Sequence, residues 1–351
     1  MQAAILVEQN KPLVIDEVEL PSKLDFGQVL VQVHYSGICG SQLGEIAGVK
    51  GPDPYLPHLL GHEGSGIVIE VGPNVTHIKE GDHVVLHWRP GIGIQANPPK
   101  YKWKGKLLNA GYITTFNEYA IVSENRLTTI PEEYPLEIAP LYGCAVTTGF
   151  GVIENNAKLK MGESIVIVGA GGVGLNMIQG ANLYSAHPIV AVDRFQNRLK
   201  LAQKLGATHI VNNSEESDWK NAIFKIVGSR GADVVIDNTG NTEVISHCYE
   251  LTKPNGRTIL VGVPKKGDNV SLYTLPLHFG KVFTGTHGGD GNPSEDIKRF
   301  IFSENKGIIK LQNIITSKFS LEKINVAIDQ IIKGNVAGKV IINLISNSRE
   351  K

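Results

Sequence analysis

The segment Gly169-Ala-Gly171-Gly172-Val173-Gly174 constrains this chain more than any other, because of what flanks it. Before it runs Ser164–Val168, apolar and β-branched like a buried strand. After it runs Val173–Tyr184, with helical patterning. A glycine-rich turn between a strand and a helix is a phosphate-binding arrangement. Gly169 allows the tight turn, Gly171 lets a pyrophosphate approach the backbone, and Gly174 lets helix pack on strand. The helix N-terminus turns free N–H groups and the positive end of its dipole towards the phosphates. Asp193 closes the next strand, 22 residues after Gly171. A carboxylate there accepts from a ribose 2′-OH and repels a 2′-phosphate, so NAD is expected rather than NADP. Arg194, directly after it, keeps some tolerance of NADP open.

From about residue 145 strands and helices alternate. Ile189–Val192, His209–Val211, Ala232–Asp237 and Thr258–Val263 read as strands, and Gln196–Leu205, Asp218–Val227 and Thr242–Leu251 as helices. That tempo predicts a doubly wound parallel sheet. The first 87 residues have another grammar: β-rich runs at Ala3–Val7, Leu13–Val18, Gln28–Ser36, Gly66–Val71 and His83–Leu86, separated by Pro- and Gly-containing turns. Strands without intervening helices suggest an antiparallel, barrel-like domain. Residues 88–111 read as a lobe or long loop, and strand character returns at Tyr112–Val122. Beyond about residue 287 come a helix (Pro293–Ser303), another around Leu321–Lys333, and a last strand Lys339–Leu344. That tail has no sheet of its own and is expected to rejoin the N-terminal domain. The expected division is therefore residues 1–145 with 288–351 for one domain, and 146–287 for the nucleotide domain.

Composition excludes several functions. Lys+Arg and Asp+Glu are equal at 34 each, so no global field favours nucleic acid or an anionic membrane. No run approaches the ~18 apolar residues of a membrane span. The N-terminal stretch lacks a basic n-region and turns acidic at Glu8, unlike a signal peptide. Three cysteines, Cys39, Cys144 and Cys248, are too few and scattered for a disulfide framework, which suggests reduced thiols and a cytoplasmic protein.

Gly61-His62-Glu63-Gly64-Ser65-Gly66 resembles the zinc signature of the zinc-dependent alcohol dehydrogenase family, within the medium-chain dehydrogenase/reductase superfamily. Gly37-Ile-Cys39-Gly-Ser41 is similar to that family's first-ligand segment, and Leu141-Tyr-Gly-Cys144-Ala-Val-Thr-Thr148-Gly to its third. The resemblance spans nearly the whole chain, to Gly334-Asn-Val-Ala-Gly338-Lys339. It implies an α/β fold: a doubly wound parallel Rossmann sheet plus a GroES-like antiparallel β-barrel catalytic domain. It implies Cys39, His62 and Cys144 as ligands of one catalytic zinc, with Glu63 behind the metal or as a transient ligand. Two thiolates and an imidazole suit Zn²⁺, and three protein ligands leave a fourth position for an alcohol or carbonyl oxygen. By the same resemblance Ser41 bonds the substrate oxygen and passes on its proton, and Thr148 and Val173 hold the nicotinamide. Gly172 and Val263 join the cofactor contacts, Lys339 lies near the phosphates and Glu63, and Arg198 flanks the adenosine ribose.

The chain departs from the pattern at three places. The residue after Ser41 is Gln42 where the family has Asp, which orients the histidine ligand through its second nitrogen. Gly44 stands where better-known members carry a relay histidine, leaving Glu45 or a ribose hydroxyl to pass the proton on. The lobe 88–111 holds no cysteine, so the family's structural zinc is expected to be absent.

Trp88 matches a pocket wall, and His287 lies where the chain should hand back to the catalytic domain and line the cleft. His87 and Arg89 beside Trp88 favour a sugar, cyclitol or anionic substrate over a plain aliphatic alcohol. The run Lys100-Tyr-Lys-Trp103-Lys-Gly-Lys106 reads as a nucleic-acid stripe, an anion clamp or a solvated loop with one buried Trp. The leading expectation is a zinc-dependent oxidoreductase passing a hydride between NAD(H) and a secondary alcohol, polyol, cyclitol or sugar. It would bind neither nucleic acid nor membrane, and the family resemblance implies a homodimer or a homotetramer, with Asn269–Leu277 apolar enough to bury. The alternatives are a zinc-free NAD(P)H-dependent reductase and a dinucleotide-sensing binding protein.

Overall fold

Apolar runs buried on both faces and runs buried on one face go to different sheets in this chain. The structure, a computed structural model, describes residues 1–345. It divides into two units. One comprises Met1–Cys144, Asn292–Lys333 and, among the described residues, 339–345; the other comprises Ala145–Gly291 and Gly334–Gly338. Residues 346–351, assigned from sequence to the first unit, lie outside the described residues.

The second unit is built on six parallel strands, in spatial order His209–Asn212, Ile189–Asp193, Ile165–Val168, Ala232–Asp237, Thr252–Leu260 and Val282–Gly285. The central Ile165–Val168 is wholly buried, with Ile165 paired to Ile189 on one side and Val234 on the other. Strand order reverses at this strand, so a crevice opens beyond its C-terminal end. Helices Gly172–Leu183, Gln196–Lys204, Trp219–Val227 and Thr242–Leu251 connect the strands. The fold class is as expected, and element ends move by a few residues. The fifth strand begins at Thr252 and stops at Leu260, leaving Val263 in an exposed loop. Residues 288–291 and 334–338 also belong here, beyond the expected boundary. Asn155 Nδ2 donates to the Gly289 carbonyl (2.8 Å) and Asn197 Nδ2 to the Gly334 carbonyl (2.9 Å), which fastens both segments to this unit.

In the first unit the long strand Gln28–Gly37 is the hub. It pairs antiparallel with Glu63–Val71, Tyr119–Ser123 and the returning Lys339–Asn343. Two register shifts against Glu63–Val71 bend it, and such bulges re-aim a strand within a curved sheet. Lys339–Asn343 lies between this strand and Ile315–Ser320, so the tail does rejoin the N-terminal sheet. A smaller sheet orders Val14–Glu17, Gln2–Leu6 and His58–Leu59. The lobe read as loop contains a hairpin, Tyr101–Trp103 with Lys106–Leu108. Tyr101 and Leu108 are fully buried with Ala3 and Ile5, Trp103 Nε1 donates to Asp16 (2.9 Å), and Lys104 pairs with Asp16 (3.2 Å). Lys104 and the two aromatics hold the hairpin to the first unit's small sheet.

His87 is corrected as a pocket residue. It is buried, its Nδ1 donates to the Arg89 carbonyl (2.7 Å), and its Nε2 lies 2.9 Å from the Thr128 hydroxyl, which can donate to it. One acceptor and one donor suit a neutral ring. Burial pushes its pKa down to about 4, against the Arg89 carbonyl, which favours the charged form. The unfolded chain therefore binds a proton here that the folded one refuses, and stability is complete above the unfolded value and lost as pH falls towards 4. Between pH 7 and pH 5 this residue alone should cost about 2 kcal/mol of unfolding free energy. Urea denaturation at the two pH values checks it: His87→Gln should show a pH dependence shallower by that amount, and equal slopes would contradict the assignment.

Candidate metal centre and nucleotide site

Three chain segments deliver the metal-ligand candidates. The hub strand ends at Gly37, and two residues on Cys39 sits in extended backbone (φ −105°, ψ 150°) immediately before the short helix Gly40–Ile46. His62 directly precedes the strand Glu63–Val71, and Cys144 follows the 3-10 turn Ala139–Gly143. Their donor atoms all lie within 4.8 Å of one another. The Cys39 and Cys144 sulfurs are 3.9 Å apart. Two thiolates bound at about 2.3 Å to a tetrahedral zinc stand about 3.8 Å apart, so the pair is spaced for the metal without rearrangement. His62 Nε2 is buried with no hydrogen-bond partner among the described residues, as a nitrogen reserved for a metal would be. The Cys39 thiol is held well below its ordinary range by the Cys144 thiol beside it, with help from His62. Cys144 is pushed well up by the Cys39 thiolate and by burial. Without a cation the two sulfurs share one proton; a divalent ion lets both ionise.

Gln42 and Glu63 surround these ligands. Gln42 is buried, its Oε1 accepts from the Cys39 backbone N–H (3.2 Å), and its Nε2 touches His62 Nδ1. When His62 Nε2 faces a metal, Nδ1 carries the ring proton and needs an acceptor. The amide has one oxygen for two N–H groups, where a carboxylate has two. Glu63 is fully buried, pairs with Lys339 Nζ, and has no partner at Oε2 among the described residues. Lys339 Nζ also donates to the Ile38 carbonyl (3.0 Å). Burial raises the Glu63 pKa against the pull of Lys339. Burial would lower that of Lys339, but Glu63 and the two thiols outweigh it and the pKa is raised.

In the other unit, Gly169 sits at φ +100°, where an L-residue is strained. A Cβ at Gly174 would stand 2.0 Å from the Gly169 carbonyl, so helix and turn touch there only because both residues are glycine. A Cβ at Gly171 would meet nothing within 4 Å, which leaves a cradle before the N-terminus of Gly172–Leu183. Asp193 is buried. Its Oδ2 accepts from the Ala170 N–H (2.8 Å), its Oδ1 from the Phe195 N–H (3.0 Å), and Arg198 stands 3.8 Å away. The carboxylate is thus fixed against the glycine turn, and the arrangement fits a dinucleotide.

The family model described as "Alcohol dehydrogenase GroES-like domain" matches residues 25–132, and "Zinc-binding dehydrogenase" matches residues 172–303. The S-(hydroxymethyl)glutathione dehydrogenase of Paracoccus denitrificans is 30% identical, over 97% of this chain and 99% of its own length. The chain belongs to the zinc-dependent alcohol dehydrogenase family. Two solved structures share its fold. An alcohol dehydrogenase zinc-binding domain protein from Burkholderia ambifaria has a TM-score of 0.89 at 30% identity, covering 98% of both chains. The benzyl alcohol dehydrogenase of Acinetobacter calcoaceticus has a TM-score of 0.87 at 28% identity, covering 98% and 99%.

This alcohol dehydrogenase family member is an oxidoreductase acting on alcohols, and its remaining candidates fall as follows. Ser41 is exposed on the short helix. Thr148 is buried on Ala145–Gly151, and Val173 is half-buried in the first turn after the glycines. Arg194 and Arg198 both stack on the Phe195 ring, 4.7 and 4.8 Å from its centroid. Trp88 is half-buried under Arg89, 5.8 Å from the ring. His287 is exposed before the turn Gly288–Asp290. Lys339 is buried within the first unit, where its ammonium meets Glu63 as expected and also bonds the Ile38 carbonyl. The sequence reading missed Ile38, whose carbonyl carries no motif signal.

The shortage of acceptors at Gln42 has a measurable consequence. Gln42→Glu supplies a second oxygen at nearly equal size, and should raise zinc affinity by about tenfold or more. Competition against a chromophoric chelator checks this; equal affinities would show that the amide already serves both N–H groups.

Proposed function

We propose that this enzyme oxidises a secondary alcohol, polyol, cyclitol or sugar with NAD⁺, using one catalytic zinc held by Cys39, His62 and Cys144. The observation that carries the reading is the set of three converging donors, with thiols 3.9 Å apart and an unpartnered, buried imidazole nitrogen. Zinc, when bound, supplies a Lewis acid that favours the deprotonated alcohol. The Ser41 hydroxyl accepts the substrate proton as it hands its own on to Glu45 or a ribose hydroxyl, and the hydride leaves the same substrate for the nicotinamide. Glu63, neutralised by Lys339, sets the field behind the ligands without adding a net charge.

NAD is favoured over NADP because Asp193 presents a buried, anchored carboxylate at the end of its strand. Arg194 and Arg198, held on Phe195, supply the positive charge that would admit a 2′-phosphate once the carboxylate is gone. The half-buried Trp88 with Arg89 above it supports a polar substrate more than an aliphatic one. Tyr273 and Phe279, 70% and 71% exposed, lie close in sequence to the edge strand Val282–Gly285 and support a homodimer, or a tetramer of such dimers. Two free thiols that must stay reduced to bind metal support the cytoplasm as the compartment.

Metal content and turnover test the reading together. Protein dialysed against chelator should keep about one zinc per chain and Cys39→Ser none, with turnover lost in the variant. Retained turnover in Cys39→Ser would favour the zinc-free reductase. Asp193→Asn should lower kcat/KM for NAD⁺ by about tenfold or more and narrow the preference over NADP⁺. An unchanged cofactor ratio would remove Asp193 from its role.

A further inference from the structure

The first unit holds a second group of convergent donors, away from the cysteines. Glu45 lies on the helix Gly40–Ile46, Asp53 in the loop that follows, and His58 on the short strand His58–Leu59. One ligand atom from each falls within 4.8 Å of the other two. His58 Nε2 is 2.9 Å from Asp53 Oδ2 and 3.9 Å from Glu45 Oε1. Its side chain is 9% exposed, that of Asp53 12% and that of Glu45 37%, so the donors run from the interior to the surface and leave an entry path.

The hydrogen bonding around His58 is what calls for a ligand. His58 Nδ1 is 2.8 Å from the Leu59 carbonyl, which can only accept, so the ring proton belongs on Nδ1. A neutral ring then turns the lone pair of Nε2 towards two carboxylates. The contrast with His87 is direct: that ring has one acceptor and one hydroxyl able to donate, and is content as a neutral group. His58 has acceptors on both sides. Neither carboxylate pairs with a lysine or arginine among the described residues, so two negative charges face one lone pair with no cation among them.

We propose that Glu45, Asp53 and His58 form a second divalent-cation site, taking Zn²⁺ or a similar first-row ion. A tetrahedral zinc bound by nitrogen and oxygen at about 2.0–2.2 Å separates its ligands by about 3.4 Å, and the two distances here, 2.9 and 3.9 Å, bracket that value. Closing Glu45 by half an ångström and opening Asp53 by as much completes three ligands, with water for a fourth. The Leu59 carbonyl plays the part usual for a metal-bound imidazole, fixing the tautomer through the nitrogen that does not bind. Asp53 is oriented too, its Oδ1 accepting from the Tyr55 N–H (2.8 Å) and leaving Oδ2 for the ion. With one neutral nitrogen and two partly solvated carboxylates, this site holds its ion less tightly than two thiolates hold theirs, and exchanges it.

The test counts metal in the full-length protein equilibrated with micromolar Zn²⁺ and freed of excess by gel filtration in the same buffer. Wild type should carry two ions per chain, His58→Gln one, Cys39→Ser one, and the double variant none. Asp53→Asn should match His58→Gln, which guards against a folding defect peculiar to the histidine. A single ion in wild type, unchanged in His58→Gln, would overturn the proposal and leave a second proton as the occupant. Two ions persisting in both His58→Gln and Asp53→Asn would also overturn it, as adventitious binding elsewhere. Failure of the catalytic-zinc reading shows separately, as a count that Cys39→Ser does not change.

Discussion

The buried pair of Glu63 with Lys339 is the interaction on which the first unit's site depends. Glu63 is covalently next to His62. Lys339 opens the returning strand, and its ammonium also bonds the carbonyl of Ile38, one residue before Cys39. Gly143, one residue before Cys144, packs so closely that a Cβ there would stand 2.8 Å from the Glu63 Cα. The Glu63–Lys339 pair therefore touches the neighbour of every ligand candidate, and the strand Lys339–Asn343 is pinned beside Cys39. Such a pair is poor evidence for net stability, since two desolvated charges cost nearly what their attraction returns. Its value lies in geometry. Removing either partner would leave an unpaired charge in the interior, so the arrangement tolerates neither loss.

That hub also bears on the metal. The protein surrounds two thiols and an imidazole with one buried anion and one buried cation, which cancel. The charge brought by a divalent ion is then met by the two thiolates, and the ligand set is neutral when complete. Gln42 fits the same bookkeeping: an amide here in place of a carboxylate removes one negative charge from the shell. The cost is an acceptor short of the need, because the one amide oxygen is taken by the Cys39 N–H and the amide Nε2, which cannot accept, faces His62 Nδ1. The chain exchanges firm orientation of its histidine for a less negative site.

How much of this was legible in the sequence depends on whether neighbours in space were neighbours in the chain. The strand, glycine turn and helix from Ile165 to Leu183 were readable because each piece specifies the next locally, and Asp193 follows at a fixed interval. The convergence of Cys39, His62 and Cys144 was readable through the motifs that hold them. The helix Gly40–Ile46 was not, since seven residues offer too few turns for a periodicity and its two glycines argue against it. The lysines and aromatics of residues 100–106 left binding and packing open, and only the pairing with Asp16 decided for packing. His87 looked like a pocket residue because it adjoins Trp88. The strand His83–His87 is buried along its last four residues, and its final position carries His87 into the core instead.

The three histidines differ in their partners. Residue type alone made His62, His87 and His58 equivalent, and burial does not separate the last two, at 1% and 7% exposed. What separates them is the sign of their partners. His87 has an acceptor and a donor, and the ring is complete in itself. His62 has an amide on one nitrogen and nothing on the other, which leaves a vacancy shaped by two thiols. His58 has two acceptors, a surplus of negative charge that a cation must answer. A neutral imidazole has one proton to give, so the partners of each ring determine whether it is structural, ligating or waiting for an ion. No sequence motif encodes that count. It follows from which carbonyls and carboxylates the turns bring within 3 Å.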